Sequence, residues 1–354
     1  MSRKIISYPK MGNYSIPVYY LLSNIFPKIE IMKPNLITKE TIELGTKYSP
    51  DFICTPFKYT LGTFIESLEK GSNILIQAGG GCRYGYYSEL QDKILKDLGY
   101  KFTYINLVSK GKANIKDIYK KIKQIDSKVS PLRIIYYLII TIQMVKYMDK
   151  IDDYIRKNIG FEVEKGSFEN TYNTMLQEFS KVKNIFQLNK IYKKYDKKIK
   201  QILINKPNKC LKVGIVGELY TIMEPFANYF LENTLAQSQI EVTRFTNAYY
   251  LLFQKKRKVK QYLKQVKKYI RYPLGADAAD NIARVKQLCE EEYDGIIHIK
   301  SSFCTPEIGA MPIINKICKE HNVPVIFFSF DSSTAEAGIE TRLEAFIDMI
   351  KMKE

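Results

Sequence analysis

Tryptophan is absent from this 354-residue chain, and histidine occurs twice, as His298 and His321. The missing tryptophan goes with a bias toward tyrosine, isoleucine and lysine that reflects coding more than function. No CxxC pair occurs among the six cysteines. Structural zinc normally needs four closely spaced ligands, so zinc is disfavoured, although a histidine such as His298 could complete a set. Neither GxGxxG nor GxxxxGK[ST] is present, which leaves any nucleotide site weakly supported. No apolar run is long enough for a bilayer. The most apolar stretch, 134–145, is short and carries Thr141 and Gln143, so a buried helix is expected and no membrane. No signal peptide is evident, since Met1-Ser2-Arg3-Lys4 leads directly into a strand-like run. A cytoplasmic location is expected, where cysteines stay reduced and clustered thiols point to metal or redox chemistry.

What the chain has in quantity is positive charge. Its 55 basic and 37 acidic residues give a formal net charge of +18. Such a surplus attracts nucleic acid, anionic membrane or acidic partners without choosing among them. The stretch from Lys255 to Arg271 reads as a helix with nine basic residues and no acid. Its default reading is a solvated face. Docking of an acidic partner or an acyl-CoA phosphate is the functional alternative. No RNA- or DNA-binding motif accompanies it, so no specific nucleic acid is expected.

The length and a hydrophobic content of 45% allow two to three domains with substantial cores. Strand-like and helix-like segments alternate over 1–125 and again over 206–354, the pattern of doubly wound parallel sheets. The expected architecture is α/β, with two Rossmann-like domains and a helical region, 126–205, between them. Thr38 reads as a helix cap. Asp51-Phe52-Ile53 reads as a short strand. The almost wholly apolar run from Val323 to Phe330 reads as a strand inside a parallel sheet.

Two stretches echo one another, Cys54-Thr55-Pro56-Phe57 and Cys304-Thr305-Pro306-Glu307. Each follows a strand-like run and precedes helical periodicity, and proline suits the first helical turn. A third cysteine, Cys82, follows a strand-like run and Gly79-Gly80-Gly81. Strand carboxyl ends are where open α/β sheets bind ligands. Cys54, Cys82 and Cys304 are therefore candidate metal ligands. Cys210 precedes its strand, and Cys289 and Cys318 sit in helices, where a cysteine is usually a small buried hydrophobe. Three thiolates suit an iron–sulfur cluster with one iron left open. Unliganded structural cysteines remain the alternative.

Helix N-termini would stabilise thiolate and a reduced cluster, and Arg83 and Lys58 could add positive charge. Ordinary surface charge is the plain reading of both. Gly80 and Gly81 would let backbone approach a bulky cofactor. Glu218 and Glu307, at strand-to-helix turns, are candidate acid–base groups, as is Asp331, with helix capping the simpler role.

With these motifs in place, the chain resembles the 2-hydroxyacyl-CoA dehydratase D-component superfamily, most closely its CoA protein activase branch. The resemblance rests on Cys54–Lys58, Gly79–Tyr87, Val216–Tyr220, Phe303–Glu307 and Thr341–Phe346, in family order. It implies a [4Fe–4S] cluster held by Cys54, Cys82 and Cys304. It also implies an ATP-hydrolysing activator, with its own cluster, that delivers one low-potential electron. In the dehydratases that electron makes a ketyl radical from the acyl-CoA and drives loss of water. Related members carry a double-cubane cluster, which needs more thiols than three. The family often has proline where Gly81 stands. An oxygen-sensitive, anaerobic protein working as a dimer or hetero-oligomer is expected. The alternatives are a non-catalytic cluster carrier or scaffold, and a nucleotide- or sugar-binding α/β protein with structural cysteines.

Overall fold

Two four-stranded, all-parallel sheets organise the chain. The computed structural model describes residues 3–80, 82–108, 114–272 and 274–353, apart from the Lys256 side chain. The chain divides into two compact units, 1–143 and 144–354.

The first unit runs β1 (Ile5–Ser7), α1 (Ser15–Ile25), β2 (Glu30–Ile31), α2 (Lys39–Tyr48), α3 (Thr55–Glu69), β3 (Ile74–Gln77), α4 (Tyr87–Asp97), β4 (Thr103–Asn106) and α5 (Ile115–Ile125), and the division falls within α6 (Pro131–Asn158). Its sheet order is β2-β1-β3-β4. Side chains alternate across a strand, and β3 shows the consequence. Ile74 and Ile76 face a cluster with Leu22, Ile25, Ile122 and Ile125. Leu75 faces the opposite cluster, with Phe57, Leu61, Phe64 and Leu95. Helices thus cover both faces, and each fully buried side chain of this size contributes about 1.5–3 kcal/mol. The α2 helix begins at a reciprocal Thr38–Thr41 capping box.

Residues 51–53 are not a strand. They lie in the turn between α2 and α3, two helices packed so closely that a Cβ on Gly45 would sit 1.8 Å from the Lys58 carbonyl oxygen. Three residues after Pro50 are too few to leave that turn and join the sheet. Cys54 therefore caps a crossover helix that runs back to the start of β3.

The second unit runs α7 (Ser167–Phe179), α8 (Ile185–Lys200), β5 (Lys212–Gly217), α9 (Leu219–Met223), α10 (Leu231–Gln237), β6 (Glu241–Arg244), α11 (Lys255–Gln265), α12 (Ala278–Glu290), β7 (Gly295–Ser301), α13 (Thr305–Glu320), β8 (Val325–Phe330) and α14 (Glu336–Lys351). Its sheet order, β6-β5-β7-β8, repeats that of the first unit. Every residue of β7 is buried. On one side Ile296 joins Val285, Leu288, Ile314 and Ile317 of α12 and α13. Two expectations are corrected here. The apolar strand ending at Phe330 is the terminal strand of its sheet among the described residues, not an interior one. The basic helix ends at Gln265, and a turn follows.

Candidate functional site

In the first unit, Cys54 is the N-cap of α3 and makes no side-chain cap bond, with Pro56 in the first turn. A helix that precedes its strand runs antiparallel to it, so the N-terminus of α3 lies toward the carboxyl end of β3. Cys82 follows β3 and is the N-cap of a short 3-10 helix, Arg83–Tyr86. The two segments meet through tyrosines. The Cys54 thiol is hydrogen-bonded with the Tyr87 hydroxyl. The Tyr87 ring stacks on Tyr84 at 4.5 Å and meets Phe57 edge-on at 5.0 Å.

A polar relay fixes this corner. Tyr104 of β4 donates to Gln77 at the end of β3 and to Gln91 of α4, at 2.6 and 2.9 Å. Gln91 donates to the Phe57 carbonyl and the Thr60 hydroxyl in the first turns of α3, at 3.3 and 2.7 Å. A Cβ on Gly80 would lie 2.7 Å from that of Tyr84, so the chain needs a small residue there. Gly81 lies outside the described residues. Arg83 is exposed. Lys58 is not surface charge but is 4% exposed, one helical turn beyond Cys54.

In the second unit, Cys304 is the N-cap of α13, again with no side-chain cap bond and with Pro306 in the first turn. Thus Cys82 and Cys304 follow equivalent strands, β3 and β7, of two sheets with one strand order. Lys300, buried on β7, lies within electrostatic reach of Cys304 and Glu307. Burial pushes its ammonium down, and those two groups oppose the shift.

Glu307 is 1% exposed and is committed elsewhere than to capping. His298 Nε2 donates to it at 2.8 Å, and Asn281 donates to its other oxygen at 2.9 Å. Asn281 also donates to the Gly217 carbonyl at 2.9 Å, tying the end of β5 to the start of α13. Gly217 has φ +144°, and a Cβ there would fall 1.7 Å from the Ile299 carbonyl oxygen. Glu218 does cap α9. It accepts from the N–H groups of Tyr220 and Thr221, at 3.0 and 2.9 Å, and from the Thr221 hydroxyl at 2.7 Å. Asp331 likewise accepts from Ser333 and Ser302.

Burial pushes the Glu218 carboxyl up, against the pull of those donors. Asp277 is also pushed up by burial, against its ion pair with Lys255. A carboxyl held up in the fold binds its proton more tightly folded than unfolded. Its contribution to stability is full below the ordinary glutamate range and is lost as pH climbs through the raised value. In Glu218→Gln this loss is gone. The stability of the variant relative to the parent should therefore rise with pH above that range, by at most about 1.4 kcal/mol per pH unit. Urea denaturation of both proteins across pH measures it, and a pH-independent difference would contradict this account.

The other cysteines are placed apart from these. Cys289 and Cys318 are buried against each other where α12 packs on α13. Cys210 precedes β5, at the opposite end of its strands. Among the described residues, no three His, Cys, Asp or Glu side chains form a group that could hold a metal ion. Cys54 and Cys82 belong to one unit and Cys304 to the other.

Residues 36–350 match the model of the 2-hydroxyglutaryl-CoA dehydratase, D-component family (HGD-D). The chain belongs to this family. No curated protein matches it. Among the described residues of this HGD-D member, no helix is long and apolar enough to cross a membrane. Sequence reading did not single out Lys300, Asn281, Gln77 or Gln91. Lys300 and His298 do leave a signal, since they alternate with apolar residues in a strand otherwise built for the core.

Proposed function

We propose that this HGD-D protein, of the CoA protein activase-like branch, is an iron–sulfur component that receives low-potential electrons from an ATP-hydrolysing activator. The residues named as ligands are Cys54, Cys82 and Cys304. The observation that carries the reading is the shared setting of Cys54 and Cys304. Each starts a long helix, spends no cap bond on it, and has a buried lysine four residues away, Lys58 or Lys300. First-turn N–H groups and a desolvated ammonium favour thiolate over thiol, so the donor set suits an anionic, thiolate-held group. A [4Fe–4S] group so held would supply one-electron transfer and an open iron for a small substrate. In this reading Cys54, Cys82 and Cys304 would hold the group, Lys300 would set positive charge near Cys304, and tyrosine and phenylalanine rings pack around Cys54. A double-cubane group would draw on further thiols. Cytoplasmic, anaerobic work suits this chemistry.

Anaerobic reconstitution followed by iron and sulfide analysis and EPR tests the reading. A reduced-cluster EPR signal is expected, and iron at background level would overturn it. Removing the charge in Lys300→Met should leave iron content intact and lower the midpoint potential by some tens of millivolts, since a nearby cation favours the reduced state. Anaerobic redox titration checks this, and an unchanged or raised potential would contradict it.

A non-catalytic carrier is the second reading. It is favoured by Glu218 and Glu307, whose carboxylates are already engaged by capping donors and by His298 and Asn281. Turnover of a small acyl-CoA with the matched activator would exclude it. For the catalytic reading, Glu218 and Glu307 remain the proposed acid–base pair, and Gly80, Gly81 and Arg83 the proposed lining of the cofactor.

A further inference from the structure

Two thiols of the second unit lie outside the proposed ligand set. Cys289 is in the last turn of α12 and Cys318 in the last turn of α13. The two helices pack on each other, and both thiols sit in one apolar cluster with Leu288, Ile314 and Ile317. The thiols are hydrogen-bonded to each other and carry no disulfide. A buried cysteine is ordinarily inert. Access and polarity set this pair apart. Cys289 forms part of the wall of a cavity of about 270 Å³, beside Tyr293, Asp294, His321 and Lys353. Cys318 is 0% exposed and, among the described residues, is not part of that wall. A molecule little larger than water therefore has a route to one sulfur and not to the other. The bond between the thiols also makes them unequal. It holds the Cys289 thiol down, against burial and the Glu290 charge, and together with burial it pushes Cys318 up.

We propose that Cys289 and Cys318 form a reversible oxidation site, in which a peroxide admitted by the cavity oxidises Cys289 and Cys318 then closes a disulfide onto it. Thiolate is the reactive form, and it belongs to the sulfur that the cavity reaches. The Cys289 sulfur attacks one oxygen of hydrogen peroxide. The O–O bond breaks, an S–O bond forms, and the sulfur is oxidised to a sulfenic acid. The other oxygen leaves as hydroxide and becomes water with the proton that Cys289 gave up. Cys318 then attacks the Cys289 sulfur. An S–S bond forms, the S–O bond breaks, and the departing oxygen becomes water with the Cys318 proton. Two thiols and one peroxide give one disulfide and two waters. The sulfurs must close from hydrogen-bond contact to about 2.0 Å, and the fraying last turns of two helices supply that movement. The new bond lies at the end of α13 away from Cys304, so it forms without drawing on the proposed ligands.

Peptide mapping of the reduced full chain tests the proposal. The protein is treated with hydrogen peroxide in stepped doses, its remaining thiols are blocked with N-ethylmaleimide in denaturant, and linked peptides are identified by mass spectrometry. The expected product is a Cys289–Cys318 link that dithiothreitol reverses. It should form at a lower dose than oxidation of Cys210, whose thiol burial pushes up. Cys318→Ser should stop at the sulfenic acid, captured on Cys289 by dimedone. Cys289→Ser should lower oxidation of Cys318 at least about tenfold. Recovery of both cysteines as free thiols at doses that oxidise Cys210 would overturn the proposal. So would a link from either one to another cysteine, or oxidation of Cys318 at the parent's dose in Cys289→Ser. Mapping of the parent decides the point even where a serine variant fails to fold. Neither thiol is Cys54, Cys82 or Cys304, so the result stands or falls apart from the cluster reading.

Discussion

Cys304→Ser should lower the iron retained after anaerobic reconstitution by at least about tenfold, and Cys54→Ser and Cys82→Ser should do the same. Serine keeps the size and loses the soft donor. Each position is a helix or turn start whose backbone can remain as it is, so the loss should appear in iron and sulfide content and not in folding. Cys54 is the informative case, because it also bonds with the Tyr87 hydroxyl. Its serine variant retains a hydroxyl for that partner, which separates ligation from support of the tyrosine stack. Cys210→Ser is the control. Its thiol sits before β5, at the far end of the strands, and its replacement should leave iron unchanged. Iron analysis with circular dichroism decides the matter. Retention of full iron by any of the three variants would remove that residue from the ligand set.

Gly217→Ala should be the most damaging single-methyl change in the second unit. Two costs add. The residue sits at φ +144°, which a side chain strongly disfavours, and the new methyl would meet the backbone of β7 at the Ile299 oxygen. Neither β5 nor β7 can withdraw, since their pairing runs from Val213 with Gly295 to Gly217 with Ile299. Relief would also pull the Gly217 carbonyl from Asn281 and disturb the bonds holding Glu307. An expected loss of about 3–5 kcal/mol follows, or roughly 10 °C in melting temperature. Thermal denaturation reads it directly. A shift of only a degree or two would mean that the strands part more easily than their register implies.

Much of the architecture was legible from period and punctuation. The Thr38 cap, the strand–helix alternation and the buried helical cysteines Cys289 and Cys318 were visible in the residues alone. The strand proposed at 51–53 was not real, because a short apolar run has the same composition in a tight turn as in a strand. Cys54 nevertheless reaches a sheet edge, by heading the helix before β3 instead of following a strand. Sequence likewise could not rank Val325–Phe330 within its sheet, since an apolar run reads alike at a centre and at an edge. The cysteine motifs were legible as local patterns, but the burial of the lysines that lie four residues from two of them was not. Lys58 stood out beside Cys54 with surface charge as its plain reading, and Lys300 looked like one among many lysines; burial sets both apart. The relay through Tyr104 and Gln91 joins residues from four elements, which no local pattern announces.

The terminal position of β8 has a cost of its own. An apolar strand, VIFFSF, paired on one side only among the described residues, is a template for adding further strands. Arg342 of α14 donates to the open Phe327 carbonyl at 2.7 Å and lays its guanidinium over the Phe328 ring. A charged side chain thus occupies one backbone acceptor of this margin, the kind of cover that discourages a further strand from adding there.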